Sequence, residues 1–159
     1  MATDGVEQWS PTRIAQYRDV FRNHLVTLGM AEPFMEAALE GVTRGLVTAL
    51  TSQKGRWVLD AQHQESRSEW GVTGVEKTGT VSVTIDRSFV DREGHRWIID
   101  YKTSRHEGGD REGFLANEKL RYQEQMDRYA RLVHAMERRP IRLGLYFPLM
   151  DAWLEWSWG

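Results

Sequence analysis

Two carboxylates and a lysine stand out in the middle of the chain: Asp86, and the tripeptide Asp100-Tyr101-Lys102. Thr80-Val81-Ser82-Val83-Thr84-Ile85-Asp86 alternates small polar with β-branched residues, and Arg96-Trp97-Ile98-Ile99-Asp100-Tyr101-Lys102 is equally rich in strand formers, so both predict strands. Each acid falls near the C-terminal end of its predicted strand, with the short turn Asp91-Arg92-Glu93-Gly94 between the two. Antiparallel neighbours joined in this way can bring their acids to one region of a sheet, given a bend or a register offset. Residues two apart on a strand share a face, so Asp100 and Lys102 point the same way. Glu69, in the preceding extended stretch Ser68–Thr73, is within reach of the same region. Three carboxylates and a lysine suit hydrolysis of a phosphodiester. Carboxylates hold hard divalent cations such as Mg²⁺. The cation neutralises the phosphate and acidifies a bound water, and a lysine orients that water or stabilises the transition state. A carboxylate hydrolase of the glycosidase type, with Glu69 and Asp86 as acid and base, is a competing use of the acids, but it leaves the lysine idle.

A lone Asp-x-Lys is ordinarily a solvated strand face, and Glu69 alone an ordinary surface acid. The informative feature is the order of elements around them: acid, strand, acid, hairpin, Asp-x-Lys, loop, helix. Upstream, Ser10 reads as an N-cap with Pro11 at the first helical position. Ile14, Tyr17, Val20, Phe21, Leu25 and Leu28 then give one buried helical face that stops at Gly29. A second helix runs from about Pro33 to Leu50, with Phe34, Ala38, Leu39, Val42, Leu46 and Leu50 inward. Gly55–Leu59 is either a short strand or a helical turn, and Glu76-Lys77-Thr78-Gly79 reads as a hairpin turn. Downstream, Ser104–Asp110 is a loop. A long helix starts at about Arg111 and ends before Pro140, with Phe114, Leu115, Leu120, Met126, Tyr129, Ala130, Val133 and Met136 on its apolar face. Ile141–Phe147 and Trp153–Trp158 are the last strands. With no repeat and no linker, residues 1–159 form one α/β domain, helical over 1–53 and sheet-based over 54–159.

The composition is compatible with this chemistry and excludes several others. The chain has 159 residues, 40% of them hydrophobic, enough to bury a core. No apolar run approaches the ~18 residues of a membrane span, and Met1–Gln8 lacks the basic residues of a secretory signal. With no cysteine, disulfide scaffolds, cysteine-ligated zinc and thiol nucleophiles are ruled out. A soluble cytoplasmic domain is the expectation. The net charge of −2 does not announce a nucleic-acid binder, but cation-binding acids offset a basic groove in that sum.

Three stretches resemble the PD-(D/E)XK nuclease superfamily, and more closely the C-terminal nuclease domain of RecB/AddA-type helicase–nucleases (exonuclease V-like). Thr84-Ile85-Asp86-Arg87 is similar to the family's metal-acid strand, and Trp97-Ile98-Ile99-Asp100-Tyr101-Lys102-Thr103 to its W-x-x-D-Y-K-T stretch. Tyr122, Gln125 and Tyr129 match the Y-x-x-Q-x-x-x-Y helix that follows. The resemblance implies a central mixed β-sheet flanked by helices, the restriction-endonuclease-like core. It implies that Asp86, Asp100 and the Tyr101 carbonyl bind the metal, Mg²⁺ with Mn²⁺ able to substitute, that Glu69 supports that site, and that Lys102 is catalytic. Gln125 and Tyr129 would line the site from the helix, with Tyr122, Arg121 and Arg128 as further supporting or DNA-contacting residues. The substrate would be single-stranded DNA, delivered by helicase domains of the same bacterial polypeptide and a second helicase–nuclease subunit during recombinational double-strand-break repair.

Read from the residues alone, Tyr129 is a core candidate and Gln125 a surface amide. Arg121, Arg128, Arg131, Arg138, Arg139 and Arg142 either contact phosphates or form a solvated face with ion pairs such as Glu124–Arg128. Trp153, Trp156 and Trp158 either stack bases or fill core and interface. One departure matters: the family places a histidine in a G-x-x-x-H context ahead of the first acid, and neither His24 nor His63 matches it. His24 reads as a helix-surface residue, and His63 and His106 as loop residues. The expectation is that this is the C-terminal part of a longer polypeptide. The competing reading is a catalytically silent module that docks DNA or a partner.

Overall fold

The computed structural model describes residues 9–77, 79–106 and 108–159. The readings of Met1–Gln8 and of Thr78 in the hairpin turn lie outside the described residues. The chain divides into two compact units. One comprises the chain up to Asp60 with Pro148–Asp151, the other Ala61–Phe147 with Ala152–Gly159.

The first unit is helical: α1 Pro11–Gln16, α2 Arg18–Thr27, α3 Glu32–Thr51 and α4 Gln53–Leu59. Ser10 caps α1, its side chain accepting from the Arg13 N–H at 3.2 Å, with Pro11 in the first turn. The single helix expected over this stretch is broken at Tyr17, whose N–H bonds to the Ile14 carbonyl and whose ring lies 5.1 Å from Trp9. No glycine or proline marks the break, so hydrophobic spacing runs through it unaltered. The stop at Gly29 agrees with its φ of +82°, a conformation that glycine adopts without strain. Residues 55–59 resolve as helix rather than strand, because Ser52 caps α4 through the Gly55 N–H at 3.0 Å. Several apolar residues expected inward are exposed instead: Val20, Leu28 and Phe34. These four helices present more apolar surface than so small a unit can enclose.

The second unit is a five-stranded sheet with one long helix. Its strands are β1 Gln64–Glu76, β2 Gly79–Val90, β3 Arg96–Tyr101, β4 Ile141–Phe147 and β5 Ala152–Trp158, in that spatial order, and its helix is α5 Arg111–Met136. All pairs are antiparallel except β3–β4, which is parallel, so the sheet is mixed. The parallel pair needs a crossover, and α5 supplies it. Ile85, Phe89, Ile98, Ile99, Leu143 and Leu145 are buried with Met126, Ala130 and Val133 of α5. β2 is longer than expected at both ends, and Asp86 therefore lies inside the strand rather than near its end. β1 and β2 pair from Gln64↔Val90 to Glu76↔Gly79, whereas β2 pairs with β3 only over Arg87–Val90. Beyond Arg87 the hairpin continues as a two-stranded arm. Leu120 and Met136 of α5, placed on its apolar face from sequence, are exposed.

Candidate active site

The last β2–β3 pair is Arg87↔Ile99, and Asp86 and Asp100 are the next residues along their chains. There the backbone ladder stops. Asp86 Oδ2 instead accepts the Tyr101 N–H at 2.8 Å, so a side chain takes over the acceptor role of a strand carbonyl. This is the register offset that brings the two acids together, although only Asp100 stands at a strand end.

Asp100 is 4% exposed, and its two oxygens are held from opposite directions. Oδ2 lies 2.6 Å from Lys102 Nζ, and Oδ1 accepts from Gln125 Nε2 at 3.0 Å. Burial pushes the Asp100 carboxyl above its ordinary range; Lys102 and Gln125 oppose this, and the Asp86 charge adds to it. Gln125 Nε2 also donates to the Tyr129 hydroxyl at 2.7 Å. Burial raises the Tyr129 phenol against the Gln125 bond, with the Asp100 and Asp86 charges acting in the same direction as burial. The like-charge influence of both acids on one phenol follows from their convergence.

Lys102 Nζ sits 3.5 Å from the centre of the Tyr122 ring, and the Arg121 guanidinium lies 5.3 Å from the same ring. α5 thus carries two adjoining stripes: Met126, Ala130 and Val133 in the core, and Tyr122, Gln125 and Tyr129 toward the acids. Leu120 belongs to neither, which explains its exposure. Arg128 lies 3.4 Å from Glu76 of β1, which it shares with Arg131 at 3.7 Å, in place of the expected pair with Glu124. Glu69 is exposed at φ +49°, between Ser68 and Trp70, which pair with Arg87 and Ile85 on either side of Asp86. It is therefore level with Asp86 but does not join the two aspartates in a tight carboxylate cluster.

Among the described residues, the three acid or histidine side chains whose ligand atoms lie within 4.8 Å of one another are Asp91, Glu93 and His95, in the β2–β3 turn. Sequence reasoning passed over this group, although its alternate spacing was visible. Asp91 is committed to the turn: it accepts from Trp97 Nε1 at 2.8 Å and from the Glu93 and His95 N–H groups at 2.9 Å. Burial works to raise its carboxyl, but these donors win and hold it below its ordinary range. His63 stacks on Phe89 at 3.8 Å and His106 on Phe114 at 4.9 Å, while His24 is exposed on α2.

A family model for the PD-(D/E)XK nuclease superfamily matches residues 8–151. The chain belongs to that superfamily. Its mixed sheet with helices is the α/β restriction-endonuclease-like architecture of PD-(D/E)XK nucleases. Among solved structures it is similar to one described as the crystal structure of SSO0001, with 16% identity, a TM-score of 0.40, and coverage of 91% of this chain and 61% of that one. The chain therefore spans about three fifths of that protein's length. No curated protein matches it.

For a PD-(D/E)XK chain the donor set is the decisive chemistry. Asp86, Asp100 and the Tyr101 carbonyl offer only hard oxygens, which suit Mg²⁺ or Mn²⁺. Asp86 Oδ1 accepts no hydrogen bond among the described residues, so it is available to a cation. Two carboxylates drawn together beside one buried position repel each other unless a positive charge joins them, and Lys102 supplies one such charge. These residues fit a divalent ion. Among the described residues, no helix is long and apolar enough to cross a membrane.

Proposed function

We propose that this chain is the nuclease domain of a RecB/AddA-type, exonuclease V-like enzyme that hydrolyses DNA phosphodiesters with Mg²⁺, acting on single strands fed by helicase domains of a longer bacterial polypeptide and a second helicase–nuclease subunit. The observation that carries the reading is the convergence of Asp86, Asp100 and Lys102 where β2 leaves β3. Asp86, Asp100 and the Tyr101 carbonyl would hold the cation, with Glu69 level with Asp86 as an outlying acid. A divalent ion held there would supply positive charge to offset the scissile phosphate and to make water a stronger acid. Lys102 presents an ammonium at the same spot, able to donate to a phosphate oxygen or to orient the attacking water. Gln125 fixes the Asp100 carboxylate, and Tyr129 fixes Gln125. Arg121, 68% exposed beside Tyr122, would meet the DNA backbone. Arg128 lies further along α5 with its charge partly met by Glu76.

The test is cleavage of a labelled single-stranded oligonucleotide by the purified chain with Mg²⁺ or Mn²⁺. Chelation is expected to abolish cutting, and Asp86→Asn, Asp100→Asn and Lys102→Ala each to reduce it by about a hundredfold or more with the fold intact. Undiminished cutting by Lys102→Ala or Asp100→Asn removes the site assignment. The absence of both divalent-ion binding and cutting favours the alternative, a catalytically silent module that docks DNA or a partner, for which the missing G-x-x-x-H histidine is the motive.

A further inference from the structure

Glu118 is an acid the sequence motifs do not mention, and it is 5% exposed on α5. Its Oε2 accepts the Ser104 hydroxyl at 2.9 Å, and Arg121 NH1 lies 3.5 Å from its Oε1. Glu118 is one turn N-terminal to Tyr122, which is itself one turn N-terminal to Gln125. The three meet Ser104, Lys102 and Asp100 respectively. A helical turn rises about 5.4 Å, and two residues of extended chain advance about 6.6 Å. Every second residue leaving β3 can therefore reach the preceding turn of α5. The first rung of this ladder, Gln125–Asp100, still lies at the sheet. The Ser104 rung lies beyond it, where the last strand-like bond is Lys102 N–H to the Tyr146 carbonyl at 2.8 Å.

We infer that Glu118 is a positioning residue for Lys102: by gripping Ser104 it holds the segment that leaves β3 against α5, and so fixes the ammonium between Asp100 and the Tyr122 ring. The inference rests on the proposed nuclease site for its catalytic consequence, but the tether itself does not. A buried carboxylate with one hydroxyl donor and one half-engaged guanidinium has no other evident task in this part of the fold. Without it, the Lys102 ammonium would meet the helix through one cation–π contact, and the next described contact of this segment with α5 would be His106 stacked on Phe114 at 4.9 Å.

Two measurements test this on the purified chain: backbone hydrogen exchange over residues 102–106, and steady-state cleavage with Mg²⁺. Ser104→Ala removes the rung without disturbing the helix. It is expected to speed exchange over 102–106 severalfold while α5 exchange and the unfolding midpoint stay put. It should lower kcat about tenfold with little change in KM. Glu118→Ala also releases Arg121, but it should speed exchange over 102–106 as Ser104→Ala does, and the double variant should lose no more than Glu118→Ala alone, because the Ser104–Glu118 bond is already gone. Ser104→Thr and Glu118→Gln keep a hydroxyl and an acceptor, and should restore kcat. Unchanged exchange in Ser104→Ala, or losses that add in the double variant, would overturn the inference. If the parent chain cuts no DNA, the nuclease reading fails, while the exchange data still decide whether the tether exists.

Discussion

Replacing Gln125 by leucine probes the electrostatics of the candidate site more directly than removing an acid. The leucine keeps the volume but deletes the donor that holds Asp100 Oδ1 at 3.0 Å. Lys102 remains on Oδ2 at 2.6 Å, so the carboxylate keeps its fold position and loses one of its two supports. A hydrogen bond to a charged group contributes about 1.5–3 kcal/mol, and with Lys102 still in place the lower end applies. About 1.4 kcal/mol corresponds to a factor of ten. The sign follows from the direction of the existing shift. Burial already raises the Asp100 carboxyl, and Gln125 is one of the groups opposing that rise. Its loss raises the carboxyl further, so protons compete with a divalent ion at higher pH than before. The expected outcome is roughly tenfold weaker Mn²⁺ binding at the acid end of the stable range, shrinking toward none once Asp100 is fully ionised in both proteins. Isothermal titration at several pH values reads this directly. Tyr129→Phe is the control, since it leaves the Gln125 amide on Asp100 and is expected to change affinity by less than about threefold. A deficit in the leucine variant that is the same at every pH, or no deficit at all, would refute the assignment of Gln125 as the support of an ion-binding carboxylate.

Two further outcomes concern the scaffold. Arg96, 1% exposed, donates to Glu137 at 2.7 and 3.1 Å and to Glu65; Arg96→Met strands these acids and is expected to cost about 3 kcal/mol in urea unfolding. The low end of the range for a broken buried pair applies because both acids keep some solvent and Arg139 stays on Glu65 at 2.7 Å. Gly144→Ala drives a methyl into the Trp153 ring, which is wedged by Trp97 and Tyr146 at 5.8 and 6.4 Å, and is expected to cost about 2–3 kcal/mol. Gly74→Ala meets only the end of the Leu132 side chain, which can turn away, and is expected to cost about 1 kcal/mol or less; equal midpoint shifts for the two glycines would contradict this ranking.

Much of the fold was legible because its elements carry local marks. Ser10-Pro11 opens α1 as expected, Gly29 closes the helical stretch after α2, and the alternation of Thr80–Asp86 and the β-branched core of Arg96–Lys102 each produced a strand. What local pattern could not show was where packing intervenes. The break at Tyr17 depends on its own backbone turn and carries no punctuating residue. Leu120 and Phe34 fit helical periods yet face solvent, because periodicity counts apolar residues without knowing what lies opposite. At the candidate site, Lys102 directly follows the strand that carries Asp100, and their proximity was readable from an alternation of two. The closeness of Asp86 was not, since it depends on the β2–β3 ladder ending at Arg87 and on Tyr101 donating to a side chain. Gln125 and Tyr129 look like a surface amide and a core ring when read alone; that Gln125 donates both to Asp100 and to the Tyr129 hydroxyl is a tertiary fact. Glu118 was invisible for a related reason: one glutamate in a charged helix differs from its neighbours only in being buried.

The strand that carries Asp100 is attached to α5 at both of its ends. Gln125 holds Asp100 at one end of β3, and Glu137, the residue capping the helix, holds Arg96 at the other. Those two attachments are phased by the turns of helix between them. A single residue inserted in or deleted from that stretch would rotate one attachment by about 100° relative to the other, so that only one of them could survive. Length variation in this fold can be absorbed by the loop before the helix or by the hairpin arm, but the helical span between Gln125 and Glu137 acts as a fixed gauge on which the spacing of the strand is set.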